Sequence, residues 1–214
     1  RVRDTTYDEK TWQLNVQAGK TLRTEGSSWL QKFTYGFDYT HTNVETLQTG
    51  LTPAAGETFP LKRFPDSKES SAAFYIQDEI ASDHWIITPG VRYDRYKLDA
   101  SANGYASSIA PASLNDAAVS PKLGVLFRAT SEWSVFGNYA SGFKAPDASQ
   151  VNSYRESGSF PFYKTIPNPD LRPEKSRNFE VGVRGRTGGL SLDAAIFTGR
   201  YKDLIEENVV VVNG

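Results

Sequence analysis

The stretch Trp29–Thr40 reads Trp-Leu-Gln-Lys-Phe-Thr-Tyr-Gly-Phe-Asp-Tyr-Thr, with Trp29, Gln31, Phe33, Tyr35, Phe37 and Tyr39 at its odd positions. The even positions carry Lys32, Thr34, Gly36, Asp38 and Thr40. Successive side chains of a strand point to opposite faces, so this period of two gathers the aromatics on one face of a sheet. The same alternation flanks it. Trp12, Leu14, Val16 and Ala18 precede it; Trp85, Ile87, Pro89, Val91 and Tyr93 follow, then Val119 to Phe127 and Trp133 to Tyr139. Phe179, Val181 and Val183, and Leu190, Leu192, Ala194 and Ile196, continue the pattern. Ala72, Phe74, Ile76 and Ile80 form a weaker member, interrupted by Asp78. The reading is eight strands and no helix, an all-β chain.

The connections alternate as well. Short polar turns fall near Thr24–Ser28, Ala81–His84, Ala129–Glu132 and Arg186–Gly189, the last a tight turn whose Gly188-Gly189 tolerates positive φ. Long segments lie near 41–69, 98–117 and 143–175. Loops beyond about 12–15 residues are uncommon in compact domains. Here they recur at every second connection, so in a meander all would project from one end. Outer-membrane barrels show this asymmetry, with short periplasmic turns and long extracellular loops. Trp29, Trp85 and Trp133 each stand just after a short turn, the start of an interfacial aromatic girdle. The predicted architecture is therefore an antiparallel transmembrane β-barrel. A soluble β-sandwich would show the same alternation with one face as core, and partition into buffer without detergent would identify it.

Composition narrows the classes further. The 214 residues are 38% apolar and 13% aromatic with a formal net charge of −1, which argues against a disordered chain and against a nucleic-acid surface. Apolar runs such as Val209–Val212 are far short of the ~18–20 residues of a membrane-spanning helix. Zero cysteines exclude disulfides and thiolate metal sites. A chain without Met or a signal peptide is expected to be mature or internal, and the closing Val-Val-Asn-Gly reads as the start of a ninth strand. Residues 1–214 are thus expected to form part of one larger barrel domain. No Ser/His/Asp set, phosphate loop or metal-spacing cluster is present, and adjacent Asp78 and Glu79 face opposite sides of a strand, so an enzyme is not expected.

Two motifs carry identity. Tyr139–Pro146 reads Tyr-Ala-Ser-Gly-Phe-Lys-Ala-Pro, and Ile166–Ser176 reads Ile-Pro-Asn-Pro-Asp-Leu-Arg-Pro-Glu-Lys-Ser, followed by Glu180 and Gly182. Through Phe143, Ala145, Pro146, Asn168, Pro169, Leu171, Pro173, Glu174, Ser176, Glu180 and Gly182 the chain resembles the barrel of TonB-dependent outer-membrane receptors. The resemblance implies an integral protein of the bacterial outer membrane, a fragment of a 22-stranded plugged barrel. It also implies an active importer of iron compounds, with outer-membrane lipid and, through a plug absent here, the TonB complex as partners. A ferric-siderophore receptor of the same superfamily, or a passive porin-type barrel, remains the alternative.

Within that family the chain is most similar to haem and haemoglobin receptors, whose two boxes flank a long extracellular loop bearing a haem-ligating histidine. That likeness implies haem as transported cargo, with no intrinsic cofactor, drawn from free haem, a haemoprotein or a haemophore. Lys144 replaces the box arginine and Asp170 the second asparagine, and 147–167 holds no histidine; the only two are His41 and His84. Tyrosinate is an established axial haem ligand, and an adjacent cation favours it. Tyr154 beside Arg155 and Tyr163 beside Lys164 are the candidates, with Tyr154 nearer the middle of the segment. A loop without any iron ligand is the third reading. Arg172, Glu174, Lys175 and Arg177 read as a solvated base of that loop, while Arg92, Lys122, Arg128, Glu180 and Arg184 share the lumen parity.

Overall fold

The computed structural model describes residues 3–23, 25–53, 58–106, 110–156 and 164–206. Strands β1 (Arg3–Arg23), β2 (Leu30–Gly50), β3 (Ser67–Ala81), β4 (Trp85–Ala100), β5 (Leu114–Arg128) and β6 (Trp133–Lys144) follow one another along the chain. A short helix, α1 (Ala148–Asn152), and a small hairpin of β7 (Arg155–Glu156) and β8 (Lys164–Thr165) interrupt them, before β9 (Glu174–Thr187) and β10 (Leu190–Lys202). Apart from that hairpin, all strands lie in a single antiparallel sheet in the order β1-β2-β3-β4-β5-β6-β9-β10. Every reversal at one end is brief: 24–29, 82–84, 129–132 and 188–189. At the other end lie 51–66, 101–113 and 145–173.

The long connections are shorter than the sequence suggests because the strands run further. β1 and β2 have 21 residues each, about 70 Å at ~3.3 Å per residue. A tilted strand crosses the hydrocarbon layer in about 9–11 residues. Above that height a strand has water on its outer side and keeps no apolar alternation. In Thr42–Gly50 the two apolar residues, Val44 and Leu47, lie on opposite faces, yet the ladder to β1 continues unbroken to Gly50. The periodic signal ends where the lipid does; the backbone pairing does not.

Register aligns the faces. Val16, Phe37, Phe74, Tyr93 and Val119 form one cross-strand row from β1 to β5. Phe37 and Phe74 rings stand 4.8 Å apart, yet Phe74 is 59% and Val119 61% exposed. A contiguous apolar face of this kind needs a non-aqueous neighbour, and a barrel wall supplies it by facing lipid. Trp85 packs on Phe127 at 4.5 Å near the turn end; toward the loops Trp12 packs on Tyr39 at 4.9 Å and Tyr139 on Phe179 at 4.7 Å. These pairs mark the two edges of the apolar band.

The other face is polar and internally satisfied. Arg92 donates from Nη1 to Asp38 at 2.6 Å and from Nε to Asp94 at 2.8 Å, while Asn15 donates to Asp38 at 2.9 Å. Asn138 donates to Glu180 at 2.9 Å, Arg184 to Asp193 at 2.7 Å, and Arg128 to the carbonyls of Ser82 and Asp83. Four of the five lumen-parity residues thus bond within the wall itself. Gly182 on this face makes room for a ring: a Cβ there would stand 2.5 Å from Phe136 Cζ and 2.6 Å from the Ala194 carbonyl oxygen. The packed core lies at the loop end of the sheet, where Tyr96 and Leu98 of β4 cluster with Ala112, Ala148 and Val151 from the loops.

Candidate functional site

The three long loops meet over the end of β4. Asn152, at the end of α1, is fully buried and grips the backbone of Ala112 at both groups. Its Oδ1 accepts from the Ala112 N–H at 2.7 Å and its Nδ2 donates to the Ala112 carbonyl at 2.8 Å. The Asn152 carbonyl accepts from the Tyr105 hydroxyl at 2.7 Å. Tyr96 donates its hydroxyl to the Pro146 carbonyl at 3.0 Å; burial pushes this phenol well above its ordinary range, so it stays a neutral donor. The first long loop joins through Lys62, whose N–H donates to Gly104 and whose carbonyl accepts from Ala106. It joins again where the Tyr154 N–H donates to Arg63 O at 2.8 Å.

Helix α1 is absent from the sequence reading, although its start is encoded there. Asp147 caps it, accepting from the Gln150 N–H, and the Gln150 side chain accepts from the Asp147 N–H. Asp147-x-x-Gln150 is thus a capping box, a recognisable helix start. The helix is short because Ser153 returns to extended backbone.

Both family boxes serve this cluster. Pro146 is fully buried, Ala145 and Leu171 pack against the core residues, and Pro173 is buried. The Asn168 N–H donates to Val151 O at 2.8 Å while its Oδ1 accepts from the Asp170 N–H. Phe143 and Glu174 sit in the paired ends of β6 and β9, opposite Lys175 and Lys144, and Pro169 is exposed.

Tyr154 occupies the junction itself, half-buried. Its ring meets Tyr105 edge-on at 6.5 Å, and Lys164 Nζ stands 5.7 Å from the ring centroid. Tyr105, Arg63 and Lys164 become its neighbours only through folding. Arg155 lies in β7 opposite Thr165; Tyr163 lies outside the described residues. His41 is mid-strand, nine residues short of the end of β2, with its ring 5.8 Å from that of Trp12. That parity turns it to the lipid side and away from the loops. His84 lies in a turn at the far end. Among the described residues no group of three or more His, Cys, Asp or Glu is placed to hold a metal ion.

Glu69 ties α1 to the rim, accepting from the Ala148 N–H at 3.0 Å. Burial raises its carboxyl above the ordinary range, and the nearby charges of Asp147 and Glu9 add to the rise. A carboxyl raised by folding favours the folded form fully below its ordinary pKa, and that contribution is lost as pH rises through the raised value. Docking of α1 is therefore expected to tighten on acidification. Glu69→Gln keeps the acceptor without the charge. It should slow hydrogen exchange of α1 amides at neutral pH and match wild type in acid; equal exchange at both pH values would refute the burial effect.

Fold and loop platform together define an outer-membrane receptor barrel. Residues 2–214 match the family model described as "TonB dependent receptor-like, beta-barrel", and the chain belongs to that family, whose members are integral outer-membrane receptors and transporters, not enzymes. A hemin receptor of Yersinia pestis is 28% identical over 183 residues, 78% of this chain and 25% of that protein. The metal-pseudopaline receptor CntO of Pseudomonas aeruginosa is 30% identical over 140 residues, 62% of this chain and 18% of that protein. The chain spans a quarter or less of these relatives. In fold it is similar to the Serratia marcescens hemophore receptor HasR, solved with its hemophore HasA and heme, with a TM-score of 0.73 at 16% identity over 92% of this chain and 34% of that one. The unliganded ferric citrate transporter FecA gives a TM-score of 0.65 at 19% identity over 96% and 30%.

Proposed function

We propose that this chain is the loop-bearing part of an importer for haem, which the long loops capture and TonB energy moves through the barrel by way of a plug. The observation that carries the reading is Tyr154, an oxygen donor at the meeting point of three loops with the Lys164 ammonium beside its ring. A neighbouring positive charge is the environment an anionic oxygen ligand of ferric iron needs. The hemin receptors among the relatives support haem as the cargo class, and the HasR fold likeness is consistent with a haemophore as donor. The second ligand would come from the plug. Siderophore receptors also occur among the relatives, which makes ferric-siderophore import the second reading.

The deciding experiment is growth. The complete receptor, expressed in a strain lacking its own uptake, is expected to restore growth on haem as sole iron source. Rescue by a siderophore but not by haem would reverse the order. The long loops are assigned to the cell exterior. A tag inserted at Thr52, which lies outside the bonded part of its loop, should be labelled on intact cells. One inserted between Gly188 and Gly189, where the turn is open, should stay dark. The converse pattern would invert the orientation.

A further inference from the structure

On the outward face the apolar band ends the same way on several strands. Two residues nearer the loops than Trp12, Tyr39, Tyr93 and Phe179 stand Lys10, His41, Arg95 and Arg177. On β1 and β4 the cations have local partners: Lys10 lies 3.0 Å from Asp8, Lys97 2.6 Å from Asp99, and Arg95 donates to Asn115 at 3.4 Å. The β9–β10 pair is different. Arg177 is in register with Arg200 and Lys175 with Lys202, so four cations share two successive cross-strand positions on one face. Among the described residues no carboxylate pairs with any of them. Like charges directly opposite destabilise a sheet, and an anion shared among them removes that cost.

The ground beneath the quartet is apolar. Tyr139, Arg177, Phe179, Thr198 and Arg200 line a shallow hollow of about 420 Å³, floored by the Tyr139–Phe179 ring pair. Aromatic surface at band level with guanidinium and ammonium groups directly above is the complement of an amphiphile with acyl chains below and phosphates above. Guanidinium forks suit phosphate oxygens in particular. We propose that the outer wall of β9–β10 binds a phosphorylated glycolipid of the outer leaflet, of the lipid A type. Its phosphates would lie between Arg177, Arg200, Lys175 and Lys202, and its chains over Tyr139 and Phe179. This rests on the outward orientation of the loops and is independent of the cargo.

The test uses the complete receptor in non-ionic detergent, with diphosphorylated lipid A added and binding read by native mass spectrometry. Wild type is expected to keep lipid A, and the monophosphorylated form to bind more weakly. Replacing Lys175, Arg177, Arg200 and Lys202 by Gln should weaken binding about tenfold or more, while Lys10→Gln leaves it unchanged. Heat-modifiable migration checks that each variant is folded; if the quadruple variant is not, Arg177→Gln with Arg200→Gln is read, with a severalfold loss expected. Equal binding by wild type and the folded variant would overturn the proposal. So would phosphatidylglycerol bound as tightly as lipid A, or lipid A displaced by inorganic phosphate at the same concentration. Because binding is read in detergent, a wrong orientation appears only in the tag experiment.

Discussion

Replacing Tyr154 by phenylalanine in the complete receptor is expected to abolish the phenolate-type, high-spin features of the bound haem spectrum and to lower haem affinity by at least about tenfold. Removing groups that merely orient a metal ligand already costs about 10–100-fold, and this variant deletes the atom proposed to ligate. The variant isolates that atom. The edge-on contact with Tyr105 needs only the ring, and the bond to Arg63 O uses the Tyr154 main chain, so both of these contacts survive the substitution. A spectrum unchanged in Tyr154→Phe but lost in Tyr163→Phe would move the ligand to Tyr163. If neither substitution alters spectrum or uptake, tyrosinate ligation is wrong and siderophore import gains.

The second large effect belongs to a residue that touches no cargo. Asn152→Leu should leave the Ala112 N–H and carbonyl, now satisfied at 2.7 and 2.8 Å, without partners in a buried site. Each buried polar group left unpaired costs about 1–3 kcal/mol, so with two such groups the platform should lose on the order of 2–6 kcal/mol. The eight-stranded ladder uses none of these bonds and should be untouched. Hydrogen exchange separates the two: amides of Ala112 and Asn168 should exchange about thirtyfold faster or more, while those of β4 and β9 hold. If the loop amides keep wild-type protection, Asn152 is not what locks the platform.

The wall was legible in the sequence because lipid imposes a strict period on it. Trp29 to Tyr39 alternate, and their register partners Phe74, Tyr93 and Val119 fall on the same face. The upper halves of β1 and β2 were not legible, since water on the outer side removes the apolar signal and leaves only hydrogen bonding, which every residue but proline supplies. The loop platform was harder still. Asn152 is one polar residue in a polar segment, and its burial depends on Ala112, forty positions away. Tyr154 could be nominated from its place between the boxes, but Tyr105, Arg63 and Lys164 share no local pattern with it. The capping box at Asp147 was the one available clue to α1.

The length of β1 and β2 has an entropic consequence. Had the capture site been hung from flexible stalks, each residue ordered on binding would have cost about 1–2 kcal/mol. Continuous pairing from Arg3 with Gly50 down to Arg23 with Leu30 settles that ordering during folding, before any cargo arrives. A preorganised rim of this kind gains affinity chiefly through slow release. If the proposed import function holds, a rim built this way is expected to keep its cargo bound long enough for an infrequent, energy-driven movement of the plug to find it still in place.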